Sequence, residues 1–241
     1  MALLRIIQQN IDRSNTNINK MISTILSYQP HLIFFSEFNE KIHRKTIVER
    51  INSEYIIIYP KSYNEKMDKS SQICILAIKK NVGLKFIPQS RNGITTRLRY
   101  IEGILKLSDS KSINLFLTHI PQTYVPKKEK FSYSDVCYYQ ERVEYKAELL
   151  FAEYCFLNEH FNENLFIGGD MNTEINGNTR LETIFNEVYT KLIDSDIEKN
   201  KPTWKDKRLD YALVSNSVKK CTTSRINTTS DHICLLSEIE L

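Results

Sequence analysis

Short apolar runs separated by polar segments recur along the chain, and their spacing predicts the secondary structure. Residues 3–9 form an apolar run typical of a strand, and apolar side chains then recur between Ile18 and Leu26 at helical spacing. Pro30 is expected to end this helix before a short buried strand at residues 31–35. Further strands are predicted near residues 54–59, 72–79, 84–88, 99–107, 112–119, 165–167, 207–215, 219–226 and 233–239.

Three more helices and one long loop complete the predicted elements. The helices are expected near residues 41–52, 137–160 and 180–195, and residues 120–136 are expected to form a polar loop. Because helices and strands do not alternate strictly, a doubly wound parallel sheet fits poorly. Paired apolar neighbours within several strands indicate sheets that are covered on both faces. The pattern therefore predicts an α/β fold of two stacked, mostly antiparallel sheets flanked by helices, in one domain spanning residues 1–241.

The composition argues against several classes of protein. Hydrophobic residues make up 41% and charged residues 26% of the chain, which is typical of a soluble globular protein. The net charge of +4 is compatible with a polyanionic partner, although a solvated surface with a small lysine excess is the simpler interpretation. The five cysteines include no CxxC pair, which favours a reducing, cytoplasmic location. No apolar stretch approaches the roughly 20 residues of a membrane span, so no membrane partner is expected.

Residues capable of acid, base or metal chemistry lie at or just after the ends of the predicted strands. These residues are Asn10, Asp12, Glu37, His119, Asp170, Asn172, Asp210, Asp231 and His232. Few reactions require carboxylates, an amide and an imidazole together without a nucleophilic serine or cysteine. Metal-assisted hydrolysis of a phosphate ester is the leading one, because hard divalent cations prefer carboxylate and amide oxygens.

Each part of this set also has a purely structural interpretation. Asp170 and Asn172 would project to the same side of an extended segment, but a Gly-Asp turn with a local hydrogen bond explains them as well. Asp210 lies among apolar neighbours within a predicted strand, where a carboxylate is costly to bury unless it is paired. His232 is an available partner, and the alternative is an aspartate that caps a loop amide. Glu37 taken alone could be an ordinary surface residue.

Six short segments in order along the chain resemble those of a known family. They are Gln9-Asn10-Ile11-Asp12, Ser36-Glu37, Leu117-Thr118-His119, Gly169-Asp170-Met171-Asn172, Arg208-Leu209-Asp210-Tyr211 and Ser230-Asp231-His232. The chain resembles the endonuclease/exonuclease/phosphatase superfamily, which includes deoxyribonuclease I, exonuclease III-like AP endonucleases and tyrosyl-DNA phosphodiesterase 2-like enzymes. The resemblance implies a four-layered α/β sandwich that uses Mg²⁺ or Mn²⁺.

The resemblance also implies which residues hold the metal. Glu37 corresponds to the principal Mg²⁺ ligand, and Asn10 and Asp12 correspond to supporting residues of the metal site. Asp231 resembles a second acidic group near the metal. These four assignments are expectations that follow from the family motif and not from spacing alone.

The catalytic roles that the resemblance implies fall on the remaining strand-end residues. Asp170 corresponds to the group that orients or deprotonates the attacking water, and Asn172 to the amide that binds the scissile phosphate. His232, held by Asp210, corresponds to the imidazole that binds phosphate or transfers a proton. His119 matches the Thr-His segment of the deoxyribonuclease and tyrosyl-DNA phosphodiesterase branches.

Five further residues are candidates for binding the substrate. Arg99 and Arg142 are candidate phosphate contacts, and Lys127 and Lys128 belong to a basic, aromatic loop after His119 that could hold nucleic acid. An ordinary solvated loop explains the same residues. Trp204 is either a platform for the substrate or an anchor in the hydrophobic core, and the core is favoured.

The leading hypothesis is a divalent-metal-dependent nuclease whose partner is nucleic acid, with DNA the expected form. A second hypothesis keeps the chemistry but assigns a phosphatase or phosphodiesterase acting on nucleotides, protein–DNA adducts or phosphorylated lipid headgroups, because a fold alone does not choose a substrate. A third is a binding module on a decayed nuclease fold, against which the full set of acids and imidazoles argues. The sequence leaves the oligomeric state open.

Overall fold

Twelve strands form two six-stranded sheets in the computed structural model, which describes residues 3–12, 15–65, 71–91, 94–95, 98–123, 133–175 and 179–241. The first sheet contains β1 (Leu3–Asn10), β2 (Leu32–Phe38), β3 (Tyr55–Ile58), β4 (Ile73–Lys79), β11 (Lys220–Ile226) and β12 (Cys234–Glu240). The second sheet contains β5 (Lys85–Gln89), β6 (Tyr100–Lys106), β7 (Ser112–His119), β8 (Leu165–Asp170), β9 (Ile193–Asp194) and β10 (Asp210–Val214).

Both sheets follow the same plan, with one parallel pair between antiparallel neighbours. The strand orders are β11-β12-β1-β2-β4-β3 and β5-β6-β7-β8-β10-β9. Among the strand pairs of the described residues, only β1 with β2 and β7 with β8 run parallel. The prediction of two mostly antiparallel sheets is therefore confirmed, and each sheet has a centre where two carboxyl ends lie side by side.

The helices are α1 (Ile18–Ser27), the helical segment α2, the long helix α3 (Tyr133–His160) and α4 (Arg180–Lys191). Segment α2 consists of Glu40–His43, a π-helical turn at Arg44–Val48 and Glu49–Ile51. Within the described ranges, no helix combines the length and the apolar character needed to cross a membrane.

Several boundaries differ from the sequence prediction, and β2 and β8 each end three residues later than expected. Helix α3 begins at Tyr133, so the last residues of the predicted loop are helical. Helix α4 starts after a capping box between Thr179 and Glu182 and stops at Lys191, since Leu192 is extended and leads into β9. Asp210 begins β10 instead of lying inside a longer strand, because the preceding residues form a turn closed by Trp204 and Lys207.

Three buried clusters bind the layers together. The central cluster fills the space between the two sheets and includes Ile6, Phe34 and Leu115. A second cluster joins α1 and α2 to the outer face of the first sheet, and a third joins α3 and α4 to the outer face of the second sheet. The layer order is thus helices, sheet, sheet and helices, which confirms the expected four-layered α/β sandwich. It also explains why many strands are apolar on both faces.

The Gly168-Gly169 pair lets β8 approach its neighbours closely. Gly169 has a φ of +127°, and a Cβ atom there would lie 1.9 Å from the Thr118 carbonyl oxygen of β7. A Cβ on Gly168 would lie 2.3 Å from the Gln8 side chain of the first sheet. These glycines therefore fix the position of Asp170, the next residue along β8.

Gly169→Ala is expected to lower the free energy of unfolding by roughly 3 kcal/mol or more, because it adds backbone strain and a steric clash. Gly83→Ala is the matched control: Gly83 also has a positive φ, of +75°, but no atom of the described residues lies within 4 Å of the added Cβ. The control should lose only about 1 kcal/mol. Denaturant unfolding measures both, and equal losses would show that the approach of β7 to β8 is not tight.

Candidate active site

Four strand ends meet at one edge of the sandwich. Asn10 ends β1 and Glu37 lies near the end of β2, while His119 ends β7 and Asp170 ends β8. Asp170 pairs in register with His119 on one side and with Asp210 on the other. The carboxyl ends of both parallel pairs therefore bring their polar residues to a single place.

Backbone strain is concentrated at this edge. Asp12, Glu37 and Asn172 have φ values of 59°, 58° and 44°, in the left-handed region that non-glycine residues rarely adopt. The pairing of β2 with β4 shifts between Phe35 and Phe38, so Glu37 lies on a bulge. A bulge reorients the side chain it carries, which explains how Glu37 leaves the plane of β2 and faces the second sheet.

Glu37 and Asp170 share two polar neighbours. Asn10 Nδ2 lies 3.3 Å from Glu37 Oε1 and 3.0 Å from Asp170 Oδ2. His119 Nε2 lies 3.6 Å from the same Glu37 oxygen and 3.7 Å from the same Asp170 oxygen. Gln72 Nε2 approaches the other Glu37 oxygen at 3.4 Å. The two sheets thus meet through one amide and one imidazole placed between two carboxylates.

Asp170 is almost completely buried. Burial and then the nearby charge of Asp210 raise the pKa of its carboxyl group to about 8, while the charge of His232 and the hydrogen bonds from Asn172 and Asn10 act in the opposite direction. The Asn172 backbone N–H donates to Asp170 Oδ1 at 2.9 Å. At that pKa the carboxyl group is mostly protonated at neutral pH in the metal-free protein, so it can accept a proton from water only after it has ionised.

His232 and Asp210 form the buried pair expected from the sequence. His232 Nδ1 donates to Asp210 Oδ2 at 2.9 Å, which leaves Nε2 facing Asp170 Oδ2 at 3.9 Å. Burial alone would lower the pKa of His232, but the hydrogen bond and the charges of Asp210, Asp170 and Asp231 outweigh it and raise the pKa to about 9. His232 is therefore a cation at neutral pH and a donor through Nε2.

His119 has the opposite electrostatic state. Arg99 Nη1 lies 2.7 Å from His119 Nδ1, and because a guanidinium can only donate, Nδ1 accepts and the ring proton resides on Nε2. Burial, followed by the charge of Arg99, lowers the pKa of His119 well below its usual value. His119 is thus a neutral imidazole whose N–H points toward Glu37 and Asp170. Arg99 lines the cleft, and its guanidinium group is hydrogen-bonded to His119.

Asn172 is held on three sides. Its backbone N–H donates to Asp170, its side-chain Nδ2 donates to the Ile120 carbonyl at 2.8 Å, and its own carbonyl accepts from Lys146 Nζ at 2.9 Å. An amide nitrogen carries two protons, so one N–H remains for a ligand. Asn172 Oδ1 is buried, and within the described part of the chain it accepts no hydrogen bond.

Trp204 is not a core residue, so the favoured sequence interpretation is wrong. Its indole Nε1 donates to Asp231 Oδ2 at 2.6 Å, and its ring lies 6.0 Å from that of His232. Lys205 Nζ lies 4.0 Å from the centre of the indole. The hydrogen bond to Asp231 and the nearby Lys205 hold the half-buried indole ring at the wall of the site. Asp231 is exposed, and Trp204 fixes its carboxylate.

A cleft of about 210 Å³ collects most of the predicted residues. The sequence-predicted residues that line it are Asp12, Glu37, Arg99, His119, Arg142, Asp170, Asn172, Trp204, Asp231 and His232. Asn10 and Asp210 do not line it but support it from behind, through Asp170 and His232. Lys127 and Lys128 lie outside the described residues. Larger cavities occur elsewhere, but this cleft is where the acids and imidazoles converge.

The donors at the cleft suit a hard divalent cation. Asp170, Asp210 and His232 offer ligand atoms that lie within 4.8 Å of one another. However, Asp210 and His232 are hydrogen-bonded to each other, and protonated His232 is a poor ligand. Glu37 has only long contacts and a side chain that is 23% exposed, which leaves it the more available oxygen donor. Carboxylate and amide oxygens of this kind match Mg²⁺ or Mn²⁺.

Three residues around the cleft were missed by the sequence analysis. Gln72 contacts Glu37, Lys146 holds Asn172, and the Thr203 hydroxyl accepts from the backbone N–H of Asp210 at 3.0 Å. Gln72 directly precedes a strand, which was a usable signal. Lys146 carried none, because its role depends on a contact with Asn172, which is distant in the sequence. Thr203 lies only seven residues before Asp210, so its signal was local, in the segment Pro202-Thr203-Trp204.

No protein-family model and no curated protein sequence matches the chain. Solved structures nevertheless share its fold. TDP2 from C. elegans superposes with a TM-score of 0.68 at 15% identity, over 99% of this chain and 75% of that one. TDP2 from D. rerio, complexed with single-strand DNA product, gives 0.67 at 13% identity, over 100% of both chains. An AP endonuclease from Archaeoglobus fulgidus gives 0.65 at 14% identity, over 99% of this chain and 100% of that one.

These similarities confirm the expected resemblance at the level of the fold. The solved structures belong to the endonuclease/exonuclease/phosphatase superfamily, and the chain has the fold that they share. At 13–15% identity the similarity extends to architecture and not to individual residues. The roles of the side chains therefore rest on the geometry of the cleft.

In the metal-free protein, NMR titration of the His232 ring is expected to give a midpoint near pH 9. This folded-state pKa lies above the ordinary value of 6.5, so the pair stabilises the fold fully below pH 6.5 and loses that contribution as the pH rises through about 9. Asp210→Asn should lower the midpoint. His31, whose pKa is lowered by burial, is the internal control. A His232 midpoint at or below 6.5 would refute the charged pair.

Proposed function

We propose that the protein is a divalent-metal-dependent phosphodiesterase that hydrolyses nucleic acid, with DNA as its substrate. The observation that carries the proposal is the convergence of Glu37 from one sheet with Asp170, Asn172 and the His232–Asp210 pair on one cleft. A phosphodiester requires neutralised oxygens, an activated water and donors for the developing charge. The cleft offers a residue type for each requirement.

Glu37 is the principal ligand of the metal in this proposal, supported by Asn10, Asp12 and Asp231. Asn10 contacts the Glu37 carboxylate, and Asn10 Oδ1 accepts from the Asp12 backbone N–H at 3.0 Å. When bound, Mg²⁺ or Mn²⁺ supplies positive charge that polarises a phosphoryl oxygen. Without it, this side of the cleft would present several carboxylates to a phosphate, which is unfavourable.

Asp170 orients the attacking water and accepts its proton. Its Oδ1 is engaged by the Asn172 backbone, whereas Oδ2 faces the imidazoles and the cleft. The free N–H of the Asn172 side chain donates to a phosphoryl oxygen. Protonated His232 donates from Nε2 to the same phosphoryl group, and Asp210 keeps this imidazole charged and correctly oriented.

A nucleic-acid substrate is favoured by groups around the cleft. Arg99 and Arg142 place two guanidinium groups at its wall, and Trp204 presents a half-buried ring beside His232. Such groups bind phosphates and stack on bases, respectively. The D. rerio TDP2 structure with single-strand DNA product and the AP endonuclease are DNA-related proteins of the same fold, which supports DNA as the first substrate to test.

Incubation with plasmid and with single- and double-stranded oligonucleotides is expected to give cleavage in Mg²⁺ or Mn²⁺ and none in EDTA, because the carboxylates need the cation to accept a phosphate. Gel analysis of the products measures both arms. Cleavage of small phosphate esters but not of DNA would favour a nucleotide or adduct phosphodiesterase. Absence of metal-dependent hydrolysis of every phosphoester would contradict the proposal and favour a binding module.

Glu37→Gln and His232→Ala supply the matched negative controls for that assay. Each should remain folded and lose at least about a hundredfold in kcat, as expected for groups that act on the transition state. Glu49→Gln changes a carboxylate on the exposed face of α2 and should leave turnover unchanged. Full activity in both site variants would mean that the cleft has been assigned wrongly.

A further inference from the structure

One face of helix α3 carries two cations that reach the loops of the cleft. Arg142 and Lys146 are four residues apart, so they lie on the same side of the helix. Arg142 Nη1 donates to the Gln122 carbonyl at 3.1 Å, in the loop that follows β7. Lys146 Nζ donates to the Asn172 carbonyl at 2.9 Å, in the loop that follows β8. A single helix face therefore anchors both loops that close the second-sheet side of the cleft.

Lys146 is an unusual residue for this place, because its side chain is almost completely buried. Only 5% of its surface is exposed, although α3 faces solvent along much of its length. Burial lowers the pKa of Lys146, and the charges of Glu182 and Asp170 oppose the shift. A buried ammonium group is costly, and an apolar residue would pack here without that cost. The presence of a lysine here is therefore better explained by its hydrogen bond to Asn172 than by the packing of the helix.

Lys146 holds a strained residue. Asn172 has a φ of 44°, which a non-glycine residue adopts only when its surroundings enforce it. The Asn172 side chain donates to Ile120 and so ties together the two loops that Arg142 and Lys146 anchor. Among the hydrogen bonds that hold Asn172, the one from Lys146 is the bond that fixes its backbone carbonyl. Loss of this bond would release the peptide plane and move the Asn172 side chain.

Lys146 contacts the backbone carbonyl of Asn172 but does not line the cleft. It lines a groove of about 720 Å³ that shares Gln122, Asn172 and Trp204 with the cleft. The ammonium group is thus outside the cleft itself, where it is not placed to touch the reacting atoms. Its direct contact with the site is the hydrogen bond to Asn172, and its charge also interacts with Asp170.

We propose that Lys146 is a positioning residue, which holds the Asn172 peptide in its left-handed conformation so that the side-chain amide points at the scissile phosphate. This inference rests on the proposed function, since it assigns a reason for the placement of Asn172. It predicts that the hydrogen bond, more than the charge, is what the site requires.

Three variants separate this role from general stability. Lys146→Met removes both the donor and the charge, whereas Lys146→Gln keeps a donor without the charge. Lys191→Met is the control: Lys191 Nζ lies 5.0 Å from the centre of the Tyr154 ring of the same helix α3 and is not part of the cleft. For each variant we would measure the melting temperature, and kcat and KM on an oligonucleotide with Mg²⁺. We would also record the side-chain amide NMR signals of Asn172 in the metal-free protein. These signals are identified by their absence in Asn172→Asp.

Lys146→Met is expected to shift the Asn172 amide signals and to lower kcat by on the order of tenfold to a hundredfold, with a much smaller change in KM, because a misplaced group costs rate more than binding. Lys146→Gln should recover most of kcat and the native signals, and Lys191→Met should change neither. Native amide signals with full kcat in Lys146→Met would overturn the inference. So would a loss of kcat that Lys191→Met reproduces. If the wild type cleaves no substrate, the proposed function fails, but the Asn172 amide signals still decide the role of Lys146. If Lys146→Met does not fold, Lys146→Gln decides that role. Altered Asn172 signals in the folded Lys146→Gln variant would then count against the hydrogen bond.

Discussion

The main constraint on the cleft is electrostatic: three carboxylates lie close together in a largely buried place, and the free-energy cost of this arrangement has to be offset by neighbouring groups. Asp170 and Asp210 face each other across β8 and β10, and Glu37 approaches Asp170 from the other sheet. Burial and mutual repulsion both disfavour charge on such groups. The protein offsets this with protonated His232 and with the Asn10 amide, and in the proposed function a divalent cation completes the balance. Affinity for a cation is then a consequence of how the acids are packed.

The close approach of the carboxylates requires residues from both sheets. A parallel pair places two carboxyl ends side by side, and each sheet contributes one such pair. The bulge at Glu37 and the glycines before Asp170 bring the two pairs within reach of shared donors. Burial, together with the charge of Arg99, lowers the pKa of His119 and keeps it neutral, so that one imidazole of the site is charged and the other is not. Two imidazoles with different charge states can serve different roles beside the same carboxylate.

Much of this arrangement could be predicted from the sequence. The strands follow from their apolar runs, and the strand-end positions of Asp170 and His232 indicated a shared site because strand ends present side chains to one edge. The cleft position of Trp204 and the anchor at Lys146 could not be predicted, since each depends on a hydrogen bond to a residue far along the chain. The turn before Asp210 is closed by the local pair Trp204 and Lys207, and it shortens the predicted strand. The early start of α3 was not predicted because no buried apolar stripe marks its first turns: Ser134, Val136 and Cys137 are exposed. The Thr179–Glu182 capping box, by contrast, was a readable signal for the start of α4.

The central claim is that the two sheets build one catalytic unit. A double-mutant cycle tests this most directly, with Glu37→Gln from the first sheet, Asp170→Asn from the second and the two combined, measured as kcat/KM for metal-dependent phosphodiester hydrolysis. Residues that act as a unit are strongly non-additive, so the double variant should be little worse than the poorer single variant. Losses that multiply would show that the two residues act independently and would contradict the claim.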